Sequence, residues 1–240
     1  MLFWVILTYL VSALPFGLIL TTLYGDSQDI RASGSGNIGA TNVARVYGWR
    51  LALPVLFLDL GKGFLPTLGA AWFWPGYGLW WPGLIAATAF LGHCYSVYLE
   101  FRGGKGVATG AGGMLAISPV PTTLSILVWG VVVAVTGRSS VGALTAALSL
   151  LGFSFWLVPN TIPIVGLLAL GIAFTHLSNL RRLVRGEEGQ IVRPVRWGRS
   201  STNPIDVIDQ GPGGQAVGPL WREQAPAPLE EEPLFREEAE

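Results

Sequence analysis

Residues 107–136 contain no Asp, Glu, Lys, Arg or His. As one straight helix that run would measure about 45 Å, well beyond the roughly 30 Å hydrocarbon core of a bilayer. Ser118-Pro119-Val120-Pro121 divides it, so it reads as a short helix, a turn and a longer helix. Apolar runs recur at residues 2–24, 51–74, 79–99, 141–158 and 161–179. A helical crossing takes roughly 20 such residues. Charged residues make up only 12% of the chain, against about a quarter in soluble domains. The pattern excludes a soluble domain and predicts an all-α polytopic membrane bundle of about seven crossings, the fourth of them short. The first run follows Met1 directly, without a basic leader or a small-residue cleavage site, and reads as a retained helix.

The basic residues fix an expected orientation. Arg31, Arg45, Arg50, Arg102, Lys105, Arg138, Arg181, Arg182 and Arg185 fall in alternate connections, while those around Tyr77, Pro119 and Pro159 hold no Lys or Arg. Positive loops stay in the cytoplasm, so the N-terminus is expected outside and the C-terminus inside. Trp72, Trp74, Trp80 and Trp81 flank a Pro-Gly-Tyr-Gly turn and read as an aromatic belt. The expected membrane domain is residues 1–189. From residue 190 onward Pro, Gly, Ser, Arg and Glu dominate and the end is acidic, which predicts a disordered cytoplasmic tail over 190–240.

Two glycine-rich stretches face the cytoplasm in this scheme. The first, Gly34-Ser35-Gly36-Asn37-Ile38-Gly39-Ala40-Thr41-Asn42, runs on to Arg45. The second, Arg102-Gly103-Gly104-Lys105-Gly106, joins flexible backbone to two cations. Open N–H groups beside a guanidinium or ammonium suit a phosphate. A flexible connector between helices explains the first stretch taken alone equally well; a positive-inside signal explains the charges of the second but not its glycines. The second stretch is not a P-loop, because it lacks the Gly-x-x-x-x-Gly-Lys-Ser/Thr pattern and no strand precedes it.

Ionisable groups inside apolar runs are costly and usually functional or paired. His93 and Ser96 sit near the end of the third run, His176 and Asn179 near the end of the last. His176, Asn179 and Arg182 share a helical face. Asp59 and Lys62, three apart, suit a mutual ion pair, with Lys62 extending to the cytoplasmic site as the alternative. The single cysteine, Cys94, excludes an internal disulfide, and no spacing supports a zinc site. No metal, cofactor or nucleic-acid partner is implied. The implied ligand is small and strongly anionic, approached from the cytoplasm against lipid. A phosphorylated molecule joined to an acyl chain fits. A transporter or channel for a small phosphorylated anion, and a non-catalytic membrane scaffold, remain open on these residues alone.

Four motifs in order carry a more specific signal: Gly34 to Asn42; Asp59-Leu60-Gly61-Lys62-Gly63 with Pro66; Gly92-His93-Cys94-Tyr95-Ser96-Val97 continuing to Phe101-Arg102-Gly103-Gly104-Lys105-Gly106-Val107-Ala108-Thr109; and His176-Leu177-Ser178-Asn179 with Gly186-Glu187-Glu188. Together they resemble the bacterial acyl-phosphate:glycerol-3-phosphate acyltransferases over residues 2–188. The resemblance implies transfer of an acyl chain from acyl phosphate to the 1-hydroxyl of glycerol 3-phosphate in the bacterial inner membrane. The products would be lysophosphatidic acid and phosphate, the first acylation of phospholipid synthesis. It implies catalytic roles for Ser35, His93, Lys105, His176 and Asn179. It implies phosphate contacts from Ser35, Gly36, Asn37, Thr41, Asn42, Arg45, Gly103, Gly104, Lys105, Gly106 and Arg182. Supporting roles fall to Asp59, Lys62, Ser96 and Glu188. Thr175 stands where such proteins usually have arginine, leaving Arg181 or Arg182 to replace that cation. The resemblance does not extend to the tail.

Overall fold

A computed structural model describes residues 1–24 and 29–191. The expected tail from residue 192 onward lies outside the described residues. The described residues form helices α1 (Leu2–Ala13), α2 (Phe16–Tyr24), α3 (Ala40–Tyr47), α4 (Trp49–Phe73), α5 (Trp80–Cys94), α6 (Val107–Ile117), α7 (Pro119–Thr136), α8 (Ser139–Leu157), α9 (Ile162–Thr175) and α10 (Leu177–Val184). There is no strand among them. Three helices, α4, α7 and α8, are long and apolar enough to cross a membrane, or five spans if each bent pair is counted as one. The expected third and fourth crossings correspond to α5, of 15 residues, and α6, of 11, both below the usual crossing length.

The breaks have physical causes, and the polar groups they free are satisfied. Pro15 separates α1 from α2, which bend by 41° because proline cannot continue the hydrogen-bond ladder. The Ala13 and Leu14 carbonyls freed there accept from Ser96 Oγ (2.6 Å) and Lys62 Nζ (2.8 Å). Pro66 inside α4 deprives the Lys62 carbonyl of its helical donor, and Ser12 Oγ of α1 supplies one at 2.9 Å. In lipid such a carbonyl has no water to fall back on. The same residues thus repair the backbone and join α1, α4 and α5.

Helices α4 and α6 cross with almost nothing between them. A Cβ added at Gly63 would fall on the Thr109 carbonyl oxygen, and one at Gly112 on that of Leu60. Close approach through small residues is how helices associate where lipid removes the hydrophobic drive. Thr109 Oγ1 donates to the Asp59 carbonyl at 2.9 Å across this crossing. Beside it, Phe90, Met114, Ala147, Val165, Leu168 and Ile172 form the largest buried apolar cluster, joining α5, α6, α8 and α9.

Two expectations change. The first glycine-rich stretch is not all loop, since its second half forms α3. Trp81 does not face outward as a belt residue would: it is buried and packs edge-on against Trp74 at 5.8 Å. Trp72 and Trp80 are exposed as a belt requires.

Candidate active site

Three helix N-termini meet around one cavity of about 260 Å³. They are the starts of α3 at Ala40, α6 at Val107 and α8 at Ser139, and residues from each line the cavity. The first N–H groups of a helix lack intrahelical partners and carry the positive end of its dipole. Thr41 and Ser139 hydroxyls, 3.1 Å apart, tie two of these starts together.

Side-chain cations add to the field. Lys105 Nζ donates to Asn179 Oδ1, and Asn179 Nδ2 donates to Glu188 Oε1. Glu188 also accepts from Ser140 Oγ (2.8 Å) and Arg182 Nε (2.8 Å). Burial would raise the Glu188 carboxyl, but the bonds from Asn179, Arg182 and Ser140 outweigh it and hold it below the ordinary range. Lys105 is pulled down to about 8, chiefly by burial, against the attraction of Glu188 and with repulsion from Arg182 and Arg45. Arg45 is half-buried, and its Nε is buried with no hydrogen-bond partner among the described residues. Burial lowers its affinity for its proton below the usual value. Three cations, Arg45, Lys105 and Arg182, therefore gather at the Glu188 carboxylate, the cavity's other acid, Asp59, being paired with Lys62, and one guanidinium N–H is unspent among the described residues. That arrangement calls for an anion.

His176 sits at the 55° bend between α9 and α10. The Ile172 carbonyl, 2.8 Å away, can only accept, so His176 Nδ1 carries the proton and Nε2 is left as an acceptor. His93 lies across the cavity wall. Thr109 spends its hydroxyl hydrogen on the Asp59 carbonyl, so His93 Nδ1 donates to Thr109 Oγ1 at 3.1 Å. A Cβ on Gly104 would overlap the His93 ring, so only glycine lets the loop close there. From this pole the cavity continues between α6, α7, α8 and α9. Its walls there are Met114, Ile126, Trp129, Ala143, Ala146, Ala147, Leu150, Val165, Leu168 and Ile172. A pole built for anions opens into an apolar slot, which is the outline of an amphiphile.

The glycerol-3-phosphate acyltransferase family model matches residues 2–186. A glycerol-3-phosphate acyltransferase of Anaeromyxobacter sp. (strain Fw109-5) is 44% identical over 75% of this chain and 91% of its own length. One of Pseudomonas aeruginosa (strain LESB58) is 40% identical over 76% of this chain and 95% of its own. The crystal structure of PlsY (YgiH), an integral membrane glycerol 3-phosphate acyltransferase, in its glycerol 3-phosphate form superposes with a TM-score of 0.73. It is 36% identical and covers 79% of this chain and 94% of that one. Its lysophosphatidic acid form gives 0.72 at 35% identity. The chain belongs to the glycerol-3-phosphate acyltransferase family.

In this acyltransferase the structure brings Ser35, Asn37, Thr41, Asn42, Arg45, Asp59, His93, Lys105, Gly106, His176, Asn179 and Glu188 to one cavity. It gives several of them duties other than those expected. Asn42 Oδ1 accepts from the Ser35 N–H (2.8 Å) while its Nδ2 donates to the Ile30 and Ser33 carbonyls. It therefore shapes the loop. The Gly36 N–H goes to the Ser33 carbonyl. The Gly103 and Gly104 N–H groups go to the Cys94 and His93 carbonyls at 3.0 Å, closing the end of α5. The N–H groups of Ser35, Gly36, Gly39, Gly103 and Gly104 are thus spent internally, while three helix starts border the cavity. Arg182 is held by Glu188 and does not line the cavity, and Arg181 is exposed on the opposite face of α10. Thr175 replaces no cation, as its hydroxyl lies 3.2 Å from the Lys105 carbonyl. Lys62 is paired with Asp59 at 2.8 Å, both buried, and does not reach the cavity. Ser96 lies at the α1–α2 break. Sequence reasoning missed Ser139, Ser140 and the apolar slot. The serine pair opening α8 was the available signal, since Ser is favoured where helices begin.

Proposed function

We propose that this acyltransferase transfers an acyl chain from acyl phosphate to the 1-hydroxyl of glycerol 3-phosphate, releasing lysophosphatidic acid and inorganic phosphate. The observation that carries the reading is the continuity of the cationic pole with the apolar slot. The slot takes the acyl chain: the rise along α8 from Ser139 to Leu150 is about 16 Å, and Ala143, Ala146 and Ala147 keep it open. The pole takes the phosphates. Lys105 and Arg45 neutralise them, and the starts of α3, α6 and α8, with Ser35, Asn37 and Thr41, orient them. His176 Nε2 accepts from the glycerol hydroxyl as it attacks the acyl carbonyl carbon. The C–O bond to phosphate then breaks and phosphate leaves with its electron pair. Phosphate is a good leaving group, so most of the catalysis is positioning, which supplies several kcal/mol, and field stabilisation of the oxyanion.

Seven crossings, a cytoplasmic pole and a bacterial inner-membrane location belong to the same proposal. Its support is that Arg45, Lys105, Arg138 and Arg182 gather around Glu188 and Gly189 at one end of the bundle. Polar groups gathered at one end, rather than at mid-depth, speak against the transporter reading.

The test is to give purified protein labelled glycerol 3-phosphate with acyl phosphate or with acyl-CoA. Labelled lysophosphatidic acid from acyl phosphate, with one phosphate released per acyl transferred, is the expected result. Product from acyl-CoA alone would overturn the donor. Uptake into sealed vesicles without lipid product would overturn the reaction.

A further inference from the structure

Helix α10 has two faces with different destinations. Asn179 is buried and Arg182 half-buried, and both hold Glu188 at the active site. The opposite face carries Leu177, Leu180, Arg181, Val184 and Arg185, all exposed, Val184 to 90%. Leu177, Leu180 and Val184 recur at helical spacings of three and four and form one stripe. Arg181 and Arg185, four apart, form a row beside it. Neither arginine meets a carboxylate within 4 Å among the described residues. Of the two acids that follow, Glu188 is taken by Arg182, and Glu187 is exposed without an ion pair.

The position of α10 completes the picture. It continues directly from α9, one half of a bent membrane-crossing pair, and departs from it by 55°. A solvated row of arginines is at ease in water, but three large exposed aliphatic side chains beside it are not. A helix at the end of a span, with an apolar stripe and an adjoining basic row, matches the boundary between acyl chains and headgroups. The complementary surface is a leaflet of anionic phospholipid.

We infer that α10 is an interfacial helix whose Arg181 and Arg185 bind the phosphates of anionic phospholipids, and that this docking sets the orientation in which Asn179 and Arg182 hold Lys105 and Glu188. The second half rests on the acyltransferase mechanism proposed above; the first does not. One short helix then couples the surface charge of the membrane to the competence of the site. The route is short: Arg182 lies one residue from Arg181, and Asn179 bonds both Lys105 and Glu188.

The experiment uses the full chain in nanodiscs of phosphatidylcholine, with and without phosphatidylglycerol. The proteins compared are wild type and the Arg181→Gln/Arg185→Gln variant, neither arginine touching the cavity. Wild type is expected to gain several-fold in kcat/KM for glycerol 3-phosphate when phosphatidylglycerol is present, and to lose the gain in high salt. The variant is expected to match wild type in phosphatidylcholine and to show no gain. A separate readout needs no turnover: because the chain already holds ten tryptophans, a fluorophore attached at Leu180→Cys, with the buried Cys94 replaced by alanine, should be quenched by bromine-labelled phosphatidylglycerol, more weakly once both arginines are replaced. An equal gain in both proteins would overturn the inference. So would indifference of both readouts to lipid charge, the result expected if the chain's own acidic end, with Glu230, Glu231 and Glu232, covers these arginines. If wild type makes no lysophosphatidic acid in either bilayer, the mechanism fails, and the quenching still decides whether α10 docks on lipid.

Discussion

Two groups of buried charge in this fold are built on opposite plans. Around Asp59 and Lys62 the charges balance: one carboxylate meets one ammonium, the ammonium also caps the Leu14 carbonyl, and the Phe16 ring lies 5.4 Å away. Around Lys105 the charges do not balance. Arg45, Lys105 and Arg182 gather at the carboxylate of Glu188, and Arg45 keeps an N–H without a partner among the described residues. The first group pins helices and repairs a proline break. The second is an incomplete set whose missing member is an anion. Charge within a membrane protein is structural where it is internally matched, and points to a ligand where it is not.

The contrast is broken most severely at its matched member. Asp59→Ala leaves Lys62 buried and uncompensated, and is expected to cost about 3–5 kcal/mol, seen as a lower melting temperature in detergent and poor recovery of folded protein. Replacing both Asp59 and Lys62 with leucine should restore only part of that loss: the buried pair goes as a whole, which is cheaper than halving it, but the Leu14 carbonyl loses its Lys62 donor.

The unmatched group should respond the other way. Lys105→Ala is expected to lower turnover by about 100-fold or more while the melting temperature stays close to wild type, because it removes excess positive charge. Near-normal turnover in the folded variant would show that the lysine holds no phosphate. Its titration sharpens the point. With Lys105 near 8, glycerol 3-phosphate binding should weaken as pH rises through about 8, by up to about tenfold per unit, and KM measured across that range reads it. Folding lowers this lysine's value, so the native state holds fewer protons than the unfolded state between about 8 and the ordinary 10.5. The cost of burying its charge is therefore present below 8 and relieved on going higher. Stability and affinity should move in opposite directions over the same window. In Lys105→Arg the loss of affinity should vanish from that range.

The smallest effect is expected at Ser140. Ser140→Ala removes one of three donors to Glu188, worth about 1 kcal/mol, and should raise KM roughly fivefold with little change in kcat.

Much of this was legible in the chain itself, and the unread parts share one cause. Helix order followed from apolar runs and prolines, and the meeting of His93, Lys105, His176 and Asn179 followed from their motifs. The Asp59–Lys62 pair followed from a spacing of three. What escaped was whatever depends on where a backbone group turns. The N–H groups of Gly36, Gly103 and Gly104 look available in sequence but close local turns. Three helix starts border the cavity, one of them at Ser139, which the sequence presents as part of a plain polar turn. Asn42 looks like a ligand contact and is a loop brace. The matching of Ser12 to the carbonyl freed by Pro66 joins residues far apart in the chain, and no local pattern encodes it.

The most direct test of the central claim is to count phosphates at the pole. Equilibrium binding of labelled glycerol 3-phosphate to the folded enzyme should be competed by inorganic phosphate, be lost in Lys105→Ala, and persist in the double leucine variant at Asp59 and Lys62. Binding that survives Lys105→Ala but disappears with the Asp59–Lys62 pair would place the anion in the matched group and contradict the account.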